Sequence, residues 1–212
     1  AGAIVLSEVL VPSGGPSAVV RWPASLNAAF ETGIENPLDA AIVAAGASAG
    51  LTTHGFSKID EIPYDFLRRR LTIVVAEDGN RTQHLIVTKG AFSNVLDICS
   101  SVERDGVEAP LDVRQRAELE EVFKAKGAEG YRVLAVATRT VEAKAHFSRD
   151  DEQKMTFRGF LVFFDPPKAD IQRTIRDLSK LGIRIKVISG DNRYVTAHLA
   201  EAVGLDAQSM LT

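Results

Sequence analysis

With 212 residues, 45% of them hydrophobic and 25% charged, the chain has apolar material for one large domain or two small ones. A formal net charge of −3 argues against a general nucleic-acid or anionic-membrane binder and leaves room for a local basic pocket. Cys99 is the single cysteine, so no internal disulfide forms, and no apolar run approaches the ~20 residues that span a bilayer. The chain opens on Ala1-Gly2-Ala3 without an initiator methionine, and the expectation is a piece of something longer.

In chain order, Ala3-Ile4-Val5-Leu6 and Val9-Leu10-Val11 read as two short strands, followed by a loop from Pro12 to Ser17. Ala24 to Phe30 suits a helix. A clearer one follows, with Asn36 as N-cap, Pro37 in the first turn, and Leu38, Ala41, Ile42 and Ala45 on one face. Asp39 then lies where a carboxylate complements a helix N-terminus, the favoured reading from sequence alone; the functional reading has it facing a ligand. Gly46 to Gly55 reads as a loop.

The stretch from Ile59 to Leu71 carries Pro63, Tyr64, Asp65, Phe66 and three consecutive arginines, Arg68 to Arg70. Along a strand, Arg68 and Arg70 face one side and Arg69 the other. Two aromatics beside three guanidiniums suit a planar base with an anionic tail, and suit just as well a solvated basic turn above core aromatics. Strands at Leu71–Val75 and His84–Val87 are joined through the turn Glu77-Asp78-Gly79-Asn80. Lys89 and Gly90 end the second strand, and Phe92, Val95, Leu96 and Cys99 recur at helical spacing. A cation, a glycine and a helix start suit a phosphorylated ligand; a solvated strand-end lysine is the plainer reading.

Val113 to Lys126 is an amphipathic helix closed by Gly127 and Gly130, and Tyr131 to Thr138 is a strand with Arg132 at its start. Lys144 to Gln153 is a polar connection. The four histidines show no metal-ligand spacing, so no protein-held metal is expected. From Gly159 the pattern changes: Phe160 to Phe164 is a continuous apolar strand of the kind buried on both faces of a parallel sheet. Asp165-Pro166-Pro167-Lys168 makes a stiff joint. A helix from Ile171 to Leu181, a strand Ile183–Ile188, the turn Ser189-Gly190-Asp191-Asn192 and a last helix then suggest a βαβ unit with the turn at its ligand-binding edge.

Taken together, Lys-Gly-Ala at 89–91, Asp-Pro-Pro-Lys at 165–168 and Ser-Gly-Asp at 189–191 resemble motifs that follow one another in this order in P-type ATPases. The stretch from Ile59 through the arginines, and the Asn36–Ile42 helix, look most like the magnesium-translocating branch. The resemblance implies an α/β fold: a nucleotide-binding domain on an antiparallel sheet (12–164), flanked by a hinge segment (1–11) and part of a Rossmann-like, haloacid dehalogenase-like phosphorylation domain (165–212). It implies ATP, arriving with Mg2+, held by Asp39 near the adenine amino group, by Tyr64 stacked on the base with Phe66 as the neighbouring candidate, and by Lys89 at the foot of the pocket. Gly90 would let the base approach, Arg69 and Arg132 would reach ribose and phosphates, and Ser189, Gly190 and Asp191 would match the family's Thr-Gly-Asp.

The implied parent is an integral protein of a bacterial plasma membrane. It couples ATP hydrolysis, through an aspartyl phosphate, to moving a cation, with this region cytoplasmic and working with the pump's actuator and transmembrane domains. The family's Asp-Lys-Thr-Gly-Thr-Leu-Thr motif is absent, so no catalytic residue is expected in this piece, which should bind nucleotide without hydrolysing it. Alternatives are a pump for calcium or another cation, or a free-standing phosphatase-like hydrolase with Asp165 as nucleophile.

Overall fold

The computed structural model describes residues 4–33, 36–165, 170–183, 185–186, 188–190 and 192–205. Its frame is one sheet of eight strands: β1 Val5–Leu10, β2 Phe56–Ile62, β3 Arg70–Glu77, β4 Gln83–Ala91, β5 Cys99–Arg104, β6 Val107–Pro110, β7 Arg132–Glu142 and β8 Met155–Phe164. The order is β2-β3-β4-β7-β8-β5-β6, with β1 also on β8. Every pairing is antiparallel except β5 with β8. The helices are α1 Arg21–Phe30, α2 Pro37–Ser48, α3 Phe92–Leu96, α4 Val113–Ala128, α5 Ile171–Lys180 and α6 Arg193–Ala202. The result is a mixed α/β fold on a mainly antiparallel sheet.

β8 explains the arrangement. Phe157, Phe160 and Val162 pack into the core on one face, with Leu119 of α4 and Phe92 of α3, while Leu161 and Phe163 pack on the other with Ala24 of α1 and Ile42 of α2. A strand covered on both faces loses the polar/apolar alternation, hence the unbroken apolar run. Its partners are antiparallel β7 on one side and, on the other, parallel β5 near Met155 and antiparallel β1 near Phe164. Gly159 stands at this fork with φ 153°, where a side-chain carbon would lie 2.0 Å from the Leu10 carbonyl oxygen. No other residue fits there.

With both edges of β8 occupied, Phe160–Phe164 cannot open a separate parallel βαβ unit. The expected strand Ile183–Ile188 has no strand among its described residues, since a lone extended segment leaves its N–H and C=O groups without a ladder. α5 and α6 form as the periodicity predicts, and α6 lies on α4, where Gly127 and Gly130 admit Tyr194 and His198. Asn192, at the end of the Ser-Gly-Asp-Asn turn, caps α6 through the Tyr194 and Val195 amides. The proline joint Pro166-Pro167-Lys168 lies outside the described residues, as does Asp191.

Three local expectations also change. The two short strands at the start are one strand, β1, with a register shift between Leu6 and Glu8. Gly46 belongs to α2, where a side-chain carbon would lie 2.5 Å from Ser25 Oγ; its absence lets α1 and α2 pack closely. The helix after Gly90 ends at Leu96, and Cys99 opens β5 instead of continuing it. β5 and β6 form a hairpin whose Asp105-Gly106 turn has φ 51° and 79° at its two residues, the geometry Asp-Gly favours.

Candidate functional site

Four neighbouring strands, β2, β3, β4 and β7, alternate in direction. The end of β2, the start of β3, the end of β4 and the start of β7 therefore lie at one end of the sheet, with Arg70 opposite Gly90 and Ala91 opposite Leu134. That end gathers Tyr64 just after β2, Arg69 just before β3, Lys89 and Gly90 in β4, and Arg132 opening β7. The end of β8 and the start of β1 meet there too, through Val5 opposite Phe164, so Asp165 leaves the sheet at the same end.

Lys89 is not a solvated strand-end residue. Its in-register neighbours are Leu71 and Val136, apolar residues on the face that α1 and α2 cover, and only 5% of it is exposed. Its ammonium donates to Asp39 Oδ1 and lies 3.6 Å from Glu31 Oε2. Asp39 is in the first turn of α2, whose N-cap is Asn36, accepting from the Leu38 amide at 3.0 Å. Asp39 therefore complements a helix start, as the plainer reading has it, and in the same place pairs with the candidate lysine.

Glu31, just past α1, is the residue the sequence reading missed. Burial pushes its carboxyl up to about 7, helped by hydrogen bonding to Asp39 and opposed by the nearby Lys89. One ammonium is thus shared by two carboxylates, and Glu31 Oε2 itself has no hydrogen bond. A site in which one ammonium serves two carboxylates suits a ligand that brings N–H donors, such as the amino edge of a base.

Gly90 has a purpose of its own within the sheet. A side-chain carbon there would lie 2.4 Å from the Arg69 carbonyl oxygen and 2.6 Å from the Arg70 backbone, so its bareness admits β3. The Arg69 carbonyl accepts from the Ala91 amide at 2.9 Å, and Arg69 adopts φ 47° to make the join. Arg69 is exposed, whereas Arg132 is half-buried opposite Phe163 and so on the α1/α2 face.

The aromatics are in neither a strand nor the core. Tyr64 is 49% exposed and Phe66, in the turn before β3, is 86% exposed; their rings meet edge to face at 5.7 Å. Phe66 is therefore not the core residue the sequence suggested. The turn is held by short-range polar bonds instead of apolar burial: Asp65 accepts from the Leu67 and Arg68 amides and from the Arg68 guanidinium. The Arg68 backbone amide, foremost among these contacts, holds the Asp65 carboxyl down to about 2.

On the opposite face Arg68, in the turn before β3, and Arg70, the first residue of β3, converge on Glu152, whose side chain is fully buried; the left-handed Arg69 between them, not strand alternation, brings the two together. Ser189 and Gly190 lie in the segment leading to α6, the helix that packs on α4. A cavity of about 290 Å³ on that side, lined by Leu96, Arg116, Phe123 and Tyr194, holds none of the expected site residues. Among the described residues no cluster of three His, Cys, Asp or Glu is arranged for a metal, and no helix is long and apolar enough to cross a membrane.

Residues 26–170 match the family model for the P-type ATPase cytoplasmic domain N. The chain is similar to the "Magnesium-transporting ATPase, P-type 1" of Salmonella typhimurium strain LT2, with 37% identity over 211 residues, covering 98% of this chain and 23% of that protein. Against the Escherichia coli K12 protein of the same name the figures are 38% over 207 residues, 96% and 23%. Against the "Calcium-transporting ATPase" of Bacillus subtilis they are 28% over 175 residues, 80% and 19%. The chain spans about a quarter of the length of these relatives.

Proposed function

This chain belongs to the P-type ATPases, and from that premise we propose that it binds ATP at the sheet end where β2, β3, β4 and β7 meet. The observation that carries the reading is the convergence itself: Tyr64, Arg69, Lys89 and Arg132, scattered along the sequence, sit on adjacent strand ends beside Asp39. Tyr64 offers a half-exposed ring face to adenine, and Asp39 accepts from its exocyclic amino group. Lys89 marks the base edge. Arg69 and Arg132 take the phosphate end, where two guanidiniums offset its charge. Magnesium, arriving with the nucleotide, supplies further neutralisation of the phosphates. Phe66 forms the outer rim beside Tyr64. Ser189, Gly190 and Asp191, the match to the family's Thr-Gly-Asp, are assigned to the nucleotide from the adjoining phosphorylation unit.

The parent protein is read as a membrane pump that couples ATP hydrolysis, through an aspartyl phosphate, to cation transport. Magnesium is the favoured cation because identity to the magnesium-named relatives is higher than to the calcium-named one. With the Asp-Lys-Thr-Gly-Thr-Leu-Thr motif absent from this sequence, the chain itself binds ATP without turning it over. Calorimetric titration with ATP, alongside release of γ-phosphate, tests both halves. Saturable binding with no phosphate release is expected. No heat on titration, or labelling of Asp165, contradicts the reading.

A further inference from the structure

Glu152 lies in what the sequence offers only as a polar connection between β7 and β8, just after a single 3-10 turn at Arg149–Asp151. Nothing marks it there as special, yet its side chain is wholly buried and each carboxylate oxygen accepts two hydrogen bonds. Oε1 takes Arg68 Nη1 at 2.7 Å and Thr72 Oγ1 at 2.6 Å; Oε2 takes Arg68 Nη1 at 2.7 Å and Arg70 Nε at 3.0 Å. Thr72 in turn meets Thr88 Oγ1 at 2.7 Å, and Arg70 donates to the Asn94 carbonyl of α3 at 3.0 Å.

The network reaches the loop before β3. Arg68 Nη2 donates to the Pro63 carbonyl at 2.5 Å and its Nε to Asp65 Oδ2 at 2.5 Å. Arg149, three residues before Glu152, lies 3.2 Å from the same Asp65 oxygen. Pro63, Asp65 and Arg68 are thus tied together around one guanidinium, and Tyr64 and Phe66 are carried between the tied points. Arg69 lies between two arginines fixed on the far face. Its φ of 47° is a conformation that side-chain-bearing residues adopt only when their surroundings hold them.

We propose that Glu152 is a positioning residue of the nucleotide site, clamping Arg68 and Arg70 so that Arg69 and the Tyr64 turn are held ready at the sheet end. The proposal rests on the nucleotide reading given above. An exposed turn with little apolar burial would otherwise sample many conformations, and each ordered contact would then be lost from the binding free energy. The clamp works from the opposite face of the sheet, so it touches no ligand itself.

The test is a double-mutant cycle on this chain with Mg-ATP as probe, using Glu152→Gln, Arg69→Ala and the pair. Glu152→Gln keeps the shape and one acceptor while removing the charge. It should weaken ATP roughly tenfold, the scale of losing one charge-assisted contact. In the Arg69→Ala background the same change should cost no more than about twofold, because the main contact it positions is already gone. A ligand-independent readout runs beside it: trypsin should cut at Arg68, Arg69 or Arg70 several-fold faster in Glu152→Gln than in wild type at temperatures well below melting. If Glu152→Gln does not fold, Arg68→Lys, which keeps the charge and loses the forked geometry, replaces it in the cycle. Wild-type binding of ATP that the substitution leaves unchanged overturns the proposal alone. An equal loss in both backgrounds overturns it too, since that marks general destabilisation. No ATP binding by wild type overturns the nucleotide reading and the proposal with it.

Discussion

The two faces of the sheet each bury a charged cluster near the same end, and the two are built on opposite principles. Around Glu152 two guanidiniums and a hydroxyl satisfy one carboxylate, every oxygen is bonded twice, and the charge is more than compensated. Around Lys89 one ammonium is divided between two carboxylates, Glu31 is driven up to about 7, and its Oε2 accepts nothing. A saturated network gives rigidity; an unsaturated one keeps capacity for a partner. The contrast teaches that burial of charge alone does not mark a site. The Glu152 face is a clasp, and the Lys89 face is the one proposed to take a ligand.

The largest effect expected is at Lys89. Lys89→Ala strands Asp39 and Glu31 in a buried site, which should cost about 3–5 kcal/mol of stability as well as nucleotide binding. The double substitution Asp39→Leu/Lys89→Met should restore most of the melting temperature, because apolar residues of similar volume replace the buried pair, while ATP binding stays lost. Denaturant melts and ATP titration on the same preparations separate the two effects. A double variant that regains ATP affinity would break the contrast between the faces.

Two substitutions of intermediate size then sharpen it. Thr72→Val removes one donor from the saturated cluster and should cost about 1–3 kcal/mol of stability, with ATP affinity retained. Tyr64→Ala should do the reverse, losing about 1–3 kcal/mol of binding with stability nearly unchanged, since a half-exposed ring contributes little to the core. Crossed outcomes in the two assays would show that the Thr72 hydroxyl serves the nucleotide site and the Tyr64 ring the fold.

How much of this was legible in the sequence depends on how local the cause is. The α2 cap needed only Asn36 and Pro37, and β3 and β4 needed only their apolar runs and the Asp-Gly-Asn turn. The strand-end position of Lys89 could be read, but its burial could not, because that depends on α2 folding over the sheet to deliver Asp39. Glu152 and Glu31 carry no local signal: each is a carboxylate in a polar stretch, and only long-range pairing gives it a partner. Phe66 misled because an aromatic in an apolar-looking window normally packs inside, whereas here Asp65 and Arg68 close the turn and turn it outward. The β5–β6 hairpin could have been found from Asp105-Gly106. The helical spacing of Phe92 to Cys99 concealed where it starts.

A smaller effect follows from Glu31. Its carboxyl is raised above 4.5 in the folded chain, so the protonated form is favoured by folding. The stabilisation is fully present below about 4.5 and is lost as pH rises through about 7. Glu31→Gln mimics the neutral form, so its melting temperature relative to wild type should climb across that window and level off above it. A difference that stays flat with pH would mean that Glu31 is ionised in the folded chain throughout. The smallest effect is at Phe66: Phe66→Ala should change stability by no more than about 0.5 kcal/mol, the usual range for an exposed side chain, in place of the core truncation cost its sequence context suggests.

Nucleotide is proposed to bind at the sheet end on the Lys89 side. Backbone amide NMR shifts followed through a titration of the chain with Mg-ATP test it most directly. The largest changes are expected at Tyr64, Arg69, Lys89, Gly90 and Arg132, with Asp39 and Glu31 following from α2 and the end of α1. Shifts confined to α4, α6 and the cavity beside Tyr194, with the Lys89 end silent, would contradict it.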